Sequence, residues 1–114
     1  MDENCCIEFY VDRRSRCLYQ EHLDNLSHNG RESDVLCIQK QVLLLQEKGL
    51  AFMQTGGYIK HLKEDIWELK PGRNRVLFKK IDEYKVVILH CFIKKDKAQQ
   101  NLEIRKAIEE SRKI

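Results

Sequence analysis

The run Tyr84-Lys-Val-Val-Ile-Leu-His-Cys-Phe-Ile-Lys94 constrains this chain more than any other stretch. Between Val86 and Ile93 only His90 interrupts the apolar side chains. A strand with one wet face alternates apolar and polar residues. This one does not, so both of its faces have to be covered. It falls well short of the roughly 20 apolar residues a membrane span needs. It therefore reads as a central strand with packed layers on either side. Two shorter runs, 62–70 and 74–81, precede it. Pro71-Gly72 parts the first two, and Asp82-Glu83 parts the second from the third. The simplest arrangement is a three-stranded antiparallel meander.

The covering layers come from helical periodicity elsewhere. Ile7–Val11 is a short β-prone run. Asp12 or Ser15 then offers a cap for a helix over 15–27, with Leu18, Tyr19, His22, Leu23 and Leu26 on one face. Asn29-Gly30 ends it. A second helix is expected over 32–48, capped by Ser33 or Asp34 and stopped by Gly49. Its stripe is Val35, Ile38, Val42 and Leu45, widened by Leu36, Cys37, Leu43 and Leu44. Residues 50–58, with Gly56-Gly57, read as a loop. Asp96 caps a terminal helix over 97–112, with Ile104, Ala107, Ile108 and Ser111 on one face. The order is β-α-α-β-β-β-α, an α+β fold with helices packed on a small twisted, mainly antiparallel sheet, in one domain of 114 residues.

Charge singles out the meander. Residues 1–59 hold 6 Lys+Arg against 9 Asp+Glu, a net of −3. Residues 60–95 hold 10 against 5, a net of +5. A basic excess confined to one sheet is the footprint of a polyanion site, and it is too modest for long tracts of duplex. The five cysteines are an odd number without any C-x-x-C pair, which points to free thiols rather than a disulfide framework or a zinc site. The N-terminal stretch Met1–Cys6 is acidic and has no basic leader. A cytoplasmic protein with no membrane partner is expected. His90 and Cys91 are strand neighbours on opposite faces, so they do not form a nucleophile–base pair.

Four motifs in order carry a family resemblance. They are Ile66-Trp67-Glu68-Leu69 closing the 62–69 segment, Arg75-Val76-Leu77-Phe78, Leu89-His90-Cys91-Phe92-Ile93-Lys94-Lys95, and Glu103-Ile104-x-x-Ala107. Together they resemble the phage-derived HigB-like toxins of the RelE/ParE superfamily. The resemblance implies a RelE-like fold and a type II toxin that cleaves messenger RNA on the ribosome. It implies neutralisation by a HigA-like helix-turn-helix antitoxin, through which operator DNA is reached only indirectly. Lys70 stands where many relatives carry Arg, so a point charge replaces a bidentate fork there.

Cleaving RNA without a metal or cofactor takes a base for the ribose 2′-OH, cations for the charged phosphorane, and an acid for the leaving 5′-oxygen. Arg75 is the first candidate for holding the phosphate, as a guanidinium expected to face solvent at a strand end. By period two it shares a face with Leu77 and Lys79, as His90 does with Phe92 and Lys94. Arg75, His90 and Lys94 then converge at one sheet edge if the registers agree. Lys94 is a candidate catalytic cation at the strand end, His90 a candidate acid or base, and Glu68 a candidate general base. Arg73, Lys70 and Lys95 add phosphate contacts, and Phe92 or Tyr84 offers a ring for a base. The same fold admits a ParE-like action on DNA gyrase. Composition alone admits a basic module that binds RNA or an antitoxin without chemistry.

Overall fold

The computed structural model describes residues 4–114; Met1–Glu3 of the acidic N-terminal stretch lie outside the described residues. A five-stranded sheet in the order β1-β5-β4-β3-β2 forms the middle layer. The strands are β1 (Cys6–Phe9), β2 (Ile59–Lys63), β3 (Ile66–Leu69), β4 (Asn74–Asp82) and β5 (Lys85–Ile93). β1 runs parallel to β5, and every other pairing is antiparallel. Helices α1 (Leu18–His28) and α2 (Glu32–Thr55) cover one face, and α3 (Lys97–Ser111) packs on the other. The α+β, RelE-like architecture expected from the sequence is the one found.

β5 is buried on both sides from Val86 to Phe92, as its apolar run, interrupted only by His90, requires. β4 takes the middle of the sheet, and β5 lies between it and β1. On the α1/α2 side Val76, Phe78, Val86 and Ile88 meet Leu23, Leu26, Ile38, Val42 and Leu45. On the α3 side Leu77, Val87, Leu89 and Phe92 meet Ala107 and Ile108. One irregularity decides where His90 points. Leu77 pairs with His90 and Phe78 with Ile88, so Leu89 is an extra residue bulged out of β5. Side-chain parity shifts at that point. His90 joins Phe92 on the α3 face, and Cys91 turns to the α1/α2 core.

The chain departs from the expected order by one strand. Residues 62–70 are not one strand but the end of a hairpin, β2–Glu64-Asp65–β3, with Glu64 at φ 53° in the turn. β2 is an edge strand carrying Lys60, His61 and Lys63, so it lacks the apolar alternation that marks a strand in sequence. The expected loop over 50–58 is largely helical. Gly49 leaves helical geometry at φ 85°, ψ 171°, and α2 resumes through Thr55. Gly49 is thus a kink rather than a stop, in a backbone conformation that glycine tolerates at least cost.

Two of the expected caps are also reassigned. Asp12 does not cap α1; its Oδ1 accepts from the Arg14 and Arg16 backbone N–H groups and closes the 12–16 turn. α2 starts from Arg31 without a side-chain cap, and Asp34 instead pairs with Arg73 at 3.2 Å. Asp96 caps α3 as expected, accepting from Gln99 N–H at 2.8 Å.

Candidate active site

The register lays Lys60, Glu68, Leu77 and His90 in a row across β2, β3, β4 and β5. These residues share the α3 face of the sheet. α3 covers the His90 end of that row and leaves the β2 end open. The opening is a cavity of ≈ 570 Å³ lined by Lys60, Glu68, Lys70, Arg75, Lys94, Asp96, Lys97 and Gln100. Five of these side chains are cations and two are carboxylates, and the first turn of α3 contributes Lys97 and Gln100. The positive end of the helix dipole therefore points at a pocket already short of negative charge.

Arg75 is anchored rather than free. Its Nη1 donates to the carbonyls of Gly72 and Asn74, both at 2.7 Å, and its Nε lies 3.6 Å from Glu68 Oε1. The Arg75 side chain is 14% exposed, which corrects the expectation of a solvent-facing strand-end arginine. Both Nη2 protons have no partner among the described residues. A fork held on three sides with its outer nitrogen free is prepared for a phosphate oxygen, because little reorganisation remains to be done. Glu68 is buried in β3, and its Oε1 also accepts from Gln100 Nε2 at 3.3 Å. Pro71 and Gly72 make the turn that brings the Gly72 carbonyl under the guanidinium, with Gly72 at φ 60°.

The sequence candidates separate into two groups. Arg75, Lys94, Glu68 and Lys70 come together in the pocket. His90, Phe92, Arg73 and Lys95 do not line it. His90 is buried beneath α3, its Nε2 3.9 Å from Glu103 Oε1, with neither ring nitrogen hydrogen-bonded. Burial pushes its pKa below the usual histidine range, opposed by the Glu103 charge. Phe92 is 5% exposed and belongs to the α3-side core, so its ring has no free face for a base. Arg73 turns away to Asp34 of α2. Lys95 is exposed beside the pocket, where its backbone N–H donates to Gln99. Tyr84 lies in the β4–β5 turn at the other end of those strands. Cys91 is buried, and burial raises its thiol well above the usual range, which removes it as a nucleophile.

Four residues escaped the sequence reading. Lys60 enters through β2, a strand without alternation. Lys97 and Gln100 enter through the helix start that Asp96 marks, and the cap alone could have flagged them. His22 is less visible still. Its Nε2 donates to Asn74 Oδ1 at 3.0 Å, bonding α1 to the residue next to Arg75. Asn74 is fully buried, so this bond holds the start of β4 in place.

All five cysteines are free thiols. Among the described residues no group of three or more His, Cys, Asp or Glu is placed to hold a metal ion, and no helix is long and apolar enough to cross a membrane. Fold and site define a small α+β protein of RelE-like architecture with a cationic pocket on its open sheet face. The chain belongs to the family described as phage derived protein Gp49-like (DUF891), whose match spans residues 21–112. No curated protein matches it.

Proposed function

We propose that this protein is the toxin of a type II toxin–antitoxin pair and an endoribonuclease that cleaves messenger RNA on the ribosome. The observation that carries the reading is the Arg75 pocket: a pre-held guanidinium ringed by Lys60, Lys70, Lys94 and Lys97 at the start of α3. Membership of the Gp49-like family and the HigB-like motifs support the same class.

In this mechanism the ribose 2′-oxygen attacks the adjacent phosphorus, and its proton passes to Glu68 Oε2, which makes no hydrogen bond among the described residues. Arg75 Nη2 and the lysines stabilise the charge that builds on the phosphorane. The bond to the 5′-oxygen breaks, the Lys94 ammonium protonates that oxygen, and a 2′,3′-cyclic phosphate remains. No metal is required by these steps. A HigA-like helix-turn-helix antitoxin is the expected inhibitor, and the cytoplasm the expected compartment.

The test is expression of the chain without antitoxin, with growth scored and message ends mapped on isolated ribosomes. Growth arrest with cuts inside coding sequence is expected. Arrest of replication with intact message would favour gyrase as the target, and no growth effect would favour a binding module; either result overturns the proposal.

A further inference from the structure

The Arg75 pocket continues into a second concavity. A groove of ≈ 360 Å³ separates the edge strand β2 from α3. Lys60 lines both, so the two adjoin at its side chain. Lys63 and Arg105 add two further cations, and no carboxylate lines the groove. None of these three cations makes an ion pair among the described residues. Elsewhere on this part of the chain cations are engaged, as Lys106 is with Glu103, Arg112 with Glu64 and Lys113 with Glu110. Between the cations Leu62 and Ile104 form a half-buried apolar floor, and Asn101 supplies an amide at the rim. The volume falls in the roughly 300–1,000 Å³ range of small-ligand sites.

We infer that this groove is a nucleotide subsite. It takes the residue of single-stranded RNA that flanks the phosphate held at Arg75. The assignment rests on the RNA-cleaving reading and extends it. A bare phosphate would be satisfied by charge alone and would gain nothing from Leu62 and Ile104. A nucleotide uses both parts: its phosphates meet Lys60, Lys63 and Arg105, its base lies on the apolar floor, and the Asn101 amide can both donate to and accept from a base edge. The active pocket then reads one phosphate, and the groove sets which neighbour must be present.

The experiment uses the full chain and two labelled oligoribonucleotides, a dinucleotide and a pentanucleotide, 2′-O-methylated so that they cannot be cut. The wild type should bind the pentanucleotide at least tenfold more tightly than the dinucleotide. Lys63→Glu with Arg105→Glu should abolish that gain and leave dinucleotide binding within about twofold. The same pair should flatten the log–log salt dependence by about 1.4, two single-strand phosphate contacts at about 0.7 each. An abasic position on one flank of the pentanucleotide should weaken binding several-fold, and the side that responds gives the strand polarity. The neutral pair Lys63→Gln and Arg105→Gln should show the same pattern at smaller amplitude, which covers misfolding of the charge-reversed form.

Unchanged pentanucleotide affinity in both pairs overturns the subsite. So does equal affinity for the intact pentanucleotide and for both abasic forms, one for each flank, since that outcome describes a charge patch or a site for an acidic peptide. Cleavage of ribosome-bound message is measured in parallel. A wild type that cleaves but binds both oligonucleotides equally loses the subsite alone; a wild type that does not cleave loses the Arg75 reading as well.

Discussion

The two faces of the sheet are built from alternate residues of the same strands, yet they do opposite things. On β4, Val76 and Phe78 face α1 and α2, while Arg75, Leu77 and Lys79 face α3. Two helices of 11 and 24 residues close the first face. One helix of 15 residues covers only part of the second. What α3 leaves open is where Glu68, Arg75 and the lysines sit. The difference teaches that chemistry in this fold is a matter of incomplete cover. A strand residue on the closed side is apolar or, like Asn74 with His22, hydrogen-bonded within the core, whereas its neighbour on the open side can keep a charge beside a counter-charge at the pocket, as Arg75 does beside Glu68.

Breaking the closed face should cost stability without touching chemistry directly. Phe78 is fully buried in the α1/α2 core. Phe78→Ala should destabilise the fold by about 3–5 kcal/mol, a large share of the roughly 5–15 kcal/mol of a typical domain. Urea unfolding checks this. The folded fraction that survives should cleave message at a near-normal rate per molecule. A rate defect larger than the loss of folded protein would mean the two faces are not independent.

Breaking the open face should do the reverse. Arg75→Ala should lower the cleavage rate roughly 100- to 1000-fold, about 2.7–4 kcal/mol in the barrier. Arg75→Lys should also be impaired, because an ammonium cannot replace a fork that spans two carbonyls and Glu68. Removing Arg75 leaves Glu68 buried without its cation, so Arg75→Ala should also lose some stability, which thermal unfolding would register. Lys79→Ala is the matched control. Its Nζ donates to the Ser111 carbonyl at 2.9 Å, outside the pocket, so it should cost about 1 kcal/mol of stability and leave cleavage intact. An inert Arg75→Ala beside a dead Lys79→Ala would reverse the roles assigned to the face.

His90 tests where the open face ends. Its ring is buried under α3, and burial holds its pKa below the ordinary value near 6.5. The unfolded chain therefore takes up a proton before the folded one does. Stability from this group is complete above the ordinary histidine pKa and falls as pH drops from there towards the lower folded value. His90→Gln should remove that slope. Urea midpoints at pH 7 and pH 5.5 should separate less in the variant than in the wild type. An unchanged difference would place the titration elsewhere.

What could be read from the sequence follows the same division. The closed face announces itself through pattern: β5 through its nearly continuous apolar run, α1 and α2 through their stripes. Arg75, Glu68, Lys70 and Lys94 were found because chemistry and motif singled them out, although period two alone could not join them. β2 was missed because an exposed edge strand bears Lys60, His61 and Lys63 in place of alternation. With it went Lys60, the residue common to both concavities. Period two places His90 on one face with Phe92, but it does not show that α3 covers that end of the row and shuts His90 out of the pocket. The anchoring of Arg75 depends on two backbone carbonyls, which no side-chain pattern reports.

The smallest expected effect concerns the loop between β1 and α1. Arg13 and Arg14 are exposed there, and neither lines the Arg75 pocket or the β2–α3 groove. Replacing both by Glu moves the formal net charge from +3 to −1, since each exchange subtracts two. A more negative protein meets a polyanion less often, so the effect should fall on the encounter and not on the chemical step. At about 0.15 M salt the Debye length is roughly 8 Å, which screens most of the influence of exposed charges on a distant site. Cleavage should therefore drop no more than a few-fold at that ionic strength, entirely in kcat/KM, and the difference should shrink as salt is raised. Asp12 keeps the loop closed in the variant, because it accepts the Arg14 and Arg16 N–H groups through the backbone, which the exchange leaves in place. A loss in kcat that persists at high salt, with the fold intact, would put RNA at the β1–α1 loop, outside the Arg75 pocket, and end the contrast between the two faces.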